Sequence, residues 1–178
     1  MVDLAMLQSV SYVAAAIGVC IATIYYVMNI NEQNKNRRVT LTNTLMQYFI
    51  SEEGAKLWLE LMSMKWESFD DFLGKYDDSV NPDNFMKRTR FWDTCEVLGL
   101  QYKSHLIDYD TVFAVCNVRV PLLWTKFKPI IEEFRKRGVY PKHSMVNFEY
   151  LASEMSRLIE ARDPSYDSSS TNLKSPTK

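Results

Sequence analysis

The chain has 178 residues, a formal net charge of −1 and 24% charged residues. So even a balance excludes bulk nucleic-acid binding, which needs a basic surface. The length allows one domain with a real core beside accessory segments, but not two.

Residues 1–9, "MVDLAMLQS", carry Asp3 and no Lys or Arg. The next stretch, Val10 to Met28, holds 19 residues without a charge or a proline. As a helix it would cover roughly 28 Å, close to the hydrocarbon thickness of a bilayer. Ser11 and Thr23 can return their hydroxyls to the helix's own carbonyls. Tyr12, Tyr25 and Tyr26 lie near its two ends, where a ring is apolar and its hydroxyl wet. A signal peptide would begin with basic residues and end at a small-x-small site, and neither occurs. A core helix would show a polar stripe, and none is seen. Residues 10–30 are therefore expected to form a retained transmembrane helix. Lys35, Arg37 and Arg38 follow it closely, and basic flanks stay in the cytoplasm. The expected topology is a single-pass plasma-membrane protein with residues 1–9 outside and the body inside. Ala14, Gly18 and Ala22 recur every four residues, a spacing that lets two helices approach closely in lipid, so a weak homodimer through this face is expected.

Residues 31–50 read as a juxtamembrane helix, with Leu41, Leu45 and Phe49 at helical spacing. Residues 51–162 then read as a helical domain without strand-like alternation. Ser51 is placed to cap a helix with Leu57, Leu61 and Met64 as its stripe. "ESFDDFLGKYDDSVNPDN" reads as a short helix and an acidic turn, and Asn81 with Pro82 opens the next helix. Asp108 is expected to cap "YDTVFAVC". In "VPLLWTKFKPIIEEFRKRG" the apolar positions share one face, Gly138 supplies a left-handed end, and Pro129 should kink or break the helix near Lys128. Ser144 is expected to cap a last helix whose stripe is Phe148, Leu151, Ala152, Met155 and Leu158. Residues 163–178 are polar and small and read as a disordered tail.

Little in the chain points to chemistry. Cys20, Cys95 and Cys116 are scattered without metal-site spacing, and read as small hydrophobes in a reducing compartment. Neither His105 nor His143 has a second ligand at i+3 or i+4, so no metal and no cofactor are indicated. Phosphate-binding and nucleophile-elbow motifs are absent. Trp58, Trp66, Trp92 and Trp124 lie on or beside apolar stripes and are expected in the core. Residues 51–80 carry eight acids against three bases, and residues 106–138 carry six bases against four acids, which reads as solvated faces. The best polar constellation is "RFWDTCE". There Arg90, Asp93 and Glu96 step by three along a helix. Ion pairing, with Arg90 neutralising the carboxylates, is the simpler expectation. A carboxylate or divalent-metal enzyme site at Asp93 and Glu96 is the alternative.

"FWDTCEVLGLQYKSHLIDYDTVF", "LLWTKFKPIIEEFRKR" and "NFEYLA" together resemble the prokaryotic family known only as domain of unknown function 4760. The resemblance covers roughly Arg38 to Glu154 and includes the Leu98–Gly99 pair at the end of an aromatic helix. At "KSHLID" the family pattern implies a glycine before the leucine, and His105 stands there instead. The resemblance implies a single span followed by a small helical domain, and it implies no activity or cofactor. The expected function is a membrane-tethered interaction or scaffold module that recruits a cytoplasmic protein to the bilayer.

Overall fold

The computed structural model describes residues 4–116 and 118–166. The residues of the expected tail from 167 onward lie outside that description. Seven α-helices are described and no strand: α1 (Leu4–Ile50), α2 (Glu52–Ser63), α3 (Phe69–Tyr76), α4 (Pro82–Lys103), α5 (Tyr109–Cys116), α6 (Arg119–Lys136) and α7 (Val146–Arg162). The fold is all-α.

The chain divides into two compact units, Met1–Asn43 and Thr44–Lys178. In the first, Leu7–Arg37 is long and apolar enough to cross a membrane, and none of it is buried. Its two hydroxyls go where the sequence puts them. Ser11 Oγ donates to the Leu7 carbonyl at 2.9 Å, and Thr23 Oγ1 to the Val19 carbonyl at 2.8 Å. Neither hydroxyl is left without a hydrogen bond.

The second unit is a small bundle organised on α4, whose inner face carries Arg88, Phe91, Trp92, Cys95, Leu98 and Gly99. The main packing partner of α4 is α7, and α6 packs on α7 in turn. Aromatic side chains dominate the core. The Trp92 ring meets Phe127 edge-on at 5.2 Å, and Trp124 meets Phe148 at 5.0 Å. Such pairs add to the area that each ring removes from water. Phe49, at the end of α1, is buried against Phe91. Trp92 and Trp124 are core residues, while Trp58 and Trp66 are partly buried against the core.

Local chemistry sets most of the boundaries. Ser51 Oγ accepts from the Gly54 N–H at 3.0 Å, Asn81 Oδ1 from the Asn84 N–H at 3.1 Å, and Asp108 Oδ1 from the Thr111 N–H at 2.9 Å. Each side-chain oxygen satisfies a donor that the first turn cannot pair. Gly138 takes φ of 74° just after α6, the left-handed end expected of it. His105, standing where the family pattern implies glycine, has φ of 56° and so adopts the glycine-like conformation itself.

Several details of the helices differ from expectation, among them that Ile159 and not Leu158 completes the buried stripe of α7. Pro129 does not break α6, which runs unbroken from Arg119 to Lys136. Its ring lies on the exposed side, and the buried face on both sides of it, Phe127 before and Ile130 and Ile131 after, holds the helix together. Ser144 does not cap α7. Met145 occupies the cap position with φ of 61° and offers no oxygen. The Ser144 carbonyl instead accepts from Arg135 Nη2 at 2.7 Å.

Candidate functional site

The constellation "RFWDTCE" divides: Glu96 turns to α7, while Arg90 and Asp93 stay exposed on the outer side of α4. Glu96 reaches across to the start of α7. Its Oε2 accepts from the Phe148 N–H at 2.7 Å, and its Oε1 accepts from Asn147 Nδ2 at 2.8 Å. Phe148 is the third residue of α7, so its N–H is one of the donors a helix start leaves unpaired. Glu96 thus does from α4 what Met145 cannot do from the cap position. Its charge also suits the positive end of the helix dipole.

One turn further along α4, Gly99 completes the joint. A side-chain carbon there would lie 2.1 Å from the Asn147 carbonyl oxygen. Only a residue without one lets α7 approach this closely. The leucine-glycine pair therefore marks the place where the first turn of α7 meets α4. Leu98 beside it is fully buried.

Arg90 does not neutralise either carboxylate. Its guanidinium lies 5.6 Å from the centre of the Tyr48 ring. Asp93 stays exposed on the outer side of α4. Partial burial, with Glu96 nearby, holds its carboxyl above the ordinary aspartate range. Ion pairing with Arg90 is thus corrected: the two residues share the outer side of α4, but no ion pair joins them. Nor do Asp93 and Glu96 converge on a common point, as a metal or acid–base pair requires. Among the described residues, no group of three or more His, Cys, Asp or Glu could hold a metal ion.

A different arginine holds the unusual position. Arg88 is fully buried. Its guanidinium lies among aromatic rings, 4.6 Å from the centre of Phe72, 4.9 Å from Trp92 and 5.3 Å from Phe85. Nη2 donates to the Tyr76 carbonyl at 3.1 Å, which ties α4 to the end of α3. Nε and Nη1 meet no acceptor among the described residues. Burial pulls its pKa down to about 10, so it remains charged at neutral pH. The ring faces supply part of the stabilisation that water would give. Spacing along the sequence singles out the neighbouring Arg90 instead. The signal was present, because Asn84, Arg88 and Trp92 follow each other every four residues on the face that also carries Cys95.

One concave feature is a cleft of about 490 Å³ lined by Met64, Lys65, Trp66, Glu67, Lys75 and Lys126. Its basic character is mostly spent on the fold. Lys126 Nζ donates to the Met62 and Met64 carbonyls, each at 2.6 Å, and so closes the end of α2. Lys75 pairs with Asp71 at 2.7 Å. Cys95 and Cys116 are buried, and burial raises both thiols above their ordinary range, so neither is a ready nucleophile.

The family can be settled at this point. A family model described as "Domain of unknown function (DUF4760)" matches residues 12–155. The chain belongs to that family. The match starts well before Arg38 and so takes in most of the apolar stretch of α1. Comparison with the curated proteins and with the solved structures returns no match.

Proposed function

We propose that this family member is a membrane-tethered interaction module. Its α1 would span the plasma membrane once with residues 1–9 outside, and its helical unit would recruit a cytoplasmic protein to the inner face. The observation that carries this reading is the pairing of an unburied helical stretch, Leu7–Arg37, long and apolar enough to cross a membrane, with a separately packed helical unit. Lys35, Arg37 and Arg38 at the end of that stretch favour the stated orientation. The family match spans both parts, which favours a role that needs the tether and the bundle together. The weak homodimer through Ala14, Gly18 and Ala22 belongs to the same proposal. A side-chain carbon at Gly18 would touch nothing within 4 Å, so that face is open to a second helix. The enzyme alternative gains no support, because both oxygens of Glu96 are engaged by α7.

The test compares cells expressing the full chain with cells expressing residues 39–178. A cytoplasmic protein should move to the membrane fraction with the full chain and return when the first 38 residues are removed. If no protein changes fraction, recruitment fails. A cysteine introduced at Leu4 should react with an impermeant thiol reagent on intact cells, and one at Ser169 should not. The opposite pattern would invert the topology.

A further inference from the structure

The outer face of α4 carries an arrangement that the fold does not use. Met86, Val97 and Leu100 are exposed to 70%, 52% and 51%. Arg90 and Asp93 are exposed between them. The five positions advance by four, three, four and three residues, so they lie in one narrow stripe along the helix. It is an apolar stripe with one cation and one anion at its centre. The Arg90 guanidinium lies over the Tyr48 ring, and neither Arg90 nor Asp93 forms an ion pair among the described residues.

We propose that this stripe docks on the same stripe of a second copy of the chain, antiparallel, about a two-fold axis passing between Arg90 and Asp93. The charges select the occupant and the direction. In a parallel pair Arg90 would face Arg90, and Asp93 would face Asp93. Reversing one helix sets Arg90 against Asp93 of the second copy, twice by symmetry. The same register sets Met86 against Val97 of the second copy and brings Leu100 to the Pro82–Asp83 turn. Every apolar member of the stripe then meets an apolar or rim position. A carboxyl that already has Glu96 beside it and no cation of its own thereby receives one. A single helix face covers less area than a freestanding dimer needs, so the contact is weak in dilute solution. Confinement of both copies to one membrane raises their effective concentration. The inference rests on the tether reading for that concentration and not for its geometry.

The experiment uses the full chain in the membranes of expressing cells, with Cys20→Ala so that only the buried Cys95 and Cys116 remain. Met86→Cys and Val97→Cys chains are co-expressed and mildly oxidised. The mixture should yield a disulfide-linked dimer, and either chain alone should not. In the proposed register, identical positions of the two copies lie about 16 Å apart along the helices. In the mixed background, Arg90→Glu or Asp93→Lys should lower the yield about tenfold, and the two changes together should restore it, because the exchanged charges again face their opposites. Circular dichroism of each variant checks that the helices persist. If no mixture cross-links while the chain resists carbonate extraction, the dimer is overturned and the tether stands. If carbonate releases the chain, the tether fails. Equal cross-linking by Met86→Cys alone would overturn the antiparallel register. Failure of the double exchange to restore the yield would overturn the pairing of Arg90 with Asp93 across the two-fold axis.

Discussion

Along Leu7–Arg37 apolar side chains face outward on a stretch of which nothing is buried, while in α4 a charged arginine is enclosed and Met86, Val97 and Leu100 face out. The two helices differ in what completes them. The first has hydroxyls bonded to its own carbonyls and no polar stripe, so its exposed surface suits a hydrocarbon solvent. The second is completed by neighbours brought from elsewhere in the chain: three aromatic rings and the Tyr76 carbonyl around Arg88, and the start of α7 against Glu96 and Gly99. Hydropathy therefore describes the first helix well and the second poorly.

The largest effect expected from breaking this contrast is in the aromatic core. Trp124→Ala should cost about 3–5 kcal/mol of unfolding free energy, because the ring is buried edge-on to Phe148. Denaturant titration of the detergent-solubilised chain, followed by near-ultraviolet circular dichroism, measures it. A loss under about 1 kcal/mol would show that this part of the core is not packed as described.

Next comes the α4–α7 joint. Glu96→Ala should cost about 1.5–3 kcal/mol, since it removes a charged acceptor from two donors at once. Hydrogen exchange should localise the change to the first turn of α7. Uniform loss of protection across the bundle would contradict a local capping role.

The buried arginine should matter less than its position suggests. Arg88→Met removes a charge that is costly to bury, together with one carbonyl bond and three ring contacts. These effects oppose each other, and the stability should stay within about 1 kcal/mol of the natural chain. A loss beyond about 3 kcal/mol would mean that the guanidinium itself is what holds α3 to α4. Smallest of all, Asp93→Asn should shift unfolding by less than about 0.5 kcal/mol, as befits an exposed carboxylate without an ion pair among the described residues. A large loss there would place the carboxylate inside the fold.

Sequence-local features were legible in proportion to their locality. The caps at Ser51, Asn81 and Asp108 and the left-handed Gly138 act within three or four residues, so their chemistry could be read from spacing. The apolar stripe of α6 was equally plain, but the effect of Pro129 was not. An isolated helix would break there, whereas this one is held by the packed residues on either side. The candidate polar site was misread for the same reason. Arg90, Asp93 and Glu96 look like partners because they are near in sequence, yet the donors Glu96 accepts from lie 51 and 52 residues away.

By itself the sequence determined an all-helical chain, an apolar helix near its start that is long enough to cross a bilayer, membership of its family, and most helix ends. The helices and their ends depend on hydrogen bonds and periodicities spanning a few residues. Only the tertiary structure decided that Glu96 caps α7 from another helix, that Gly99 makes room for the Asn147 carbonyl, that Arg88 and not Arg90 is the enclosed cation, and that Arg90 and Asp93 are left together on an outward face. Those outcomes depend on which segments meet in space, and a polar group reveals its role only when the partner that satisfies it is in place.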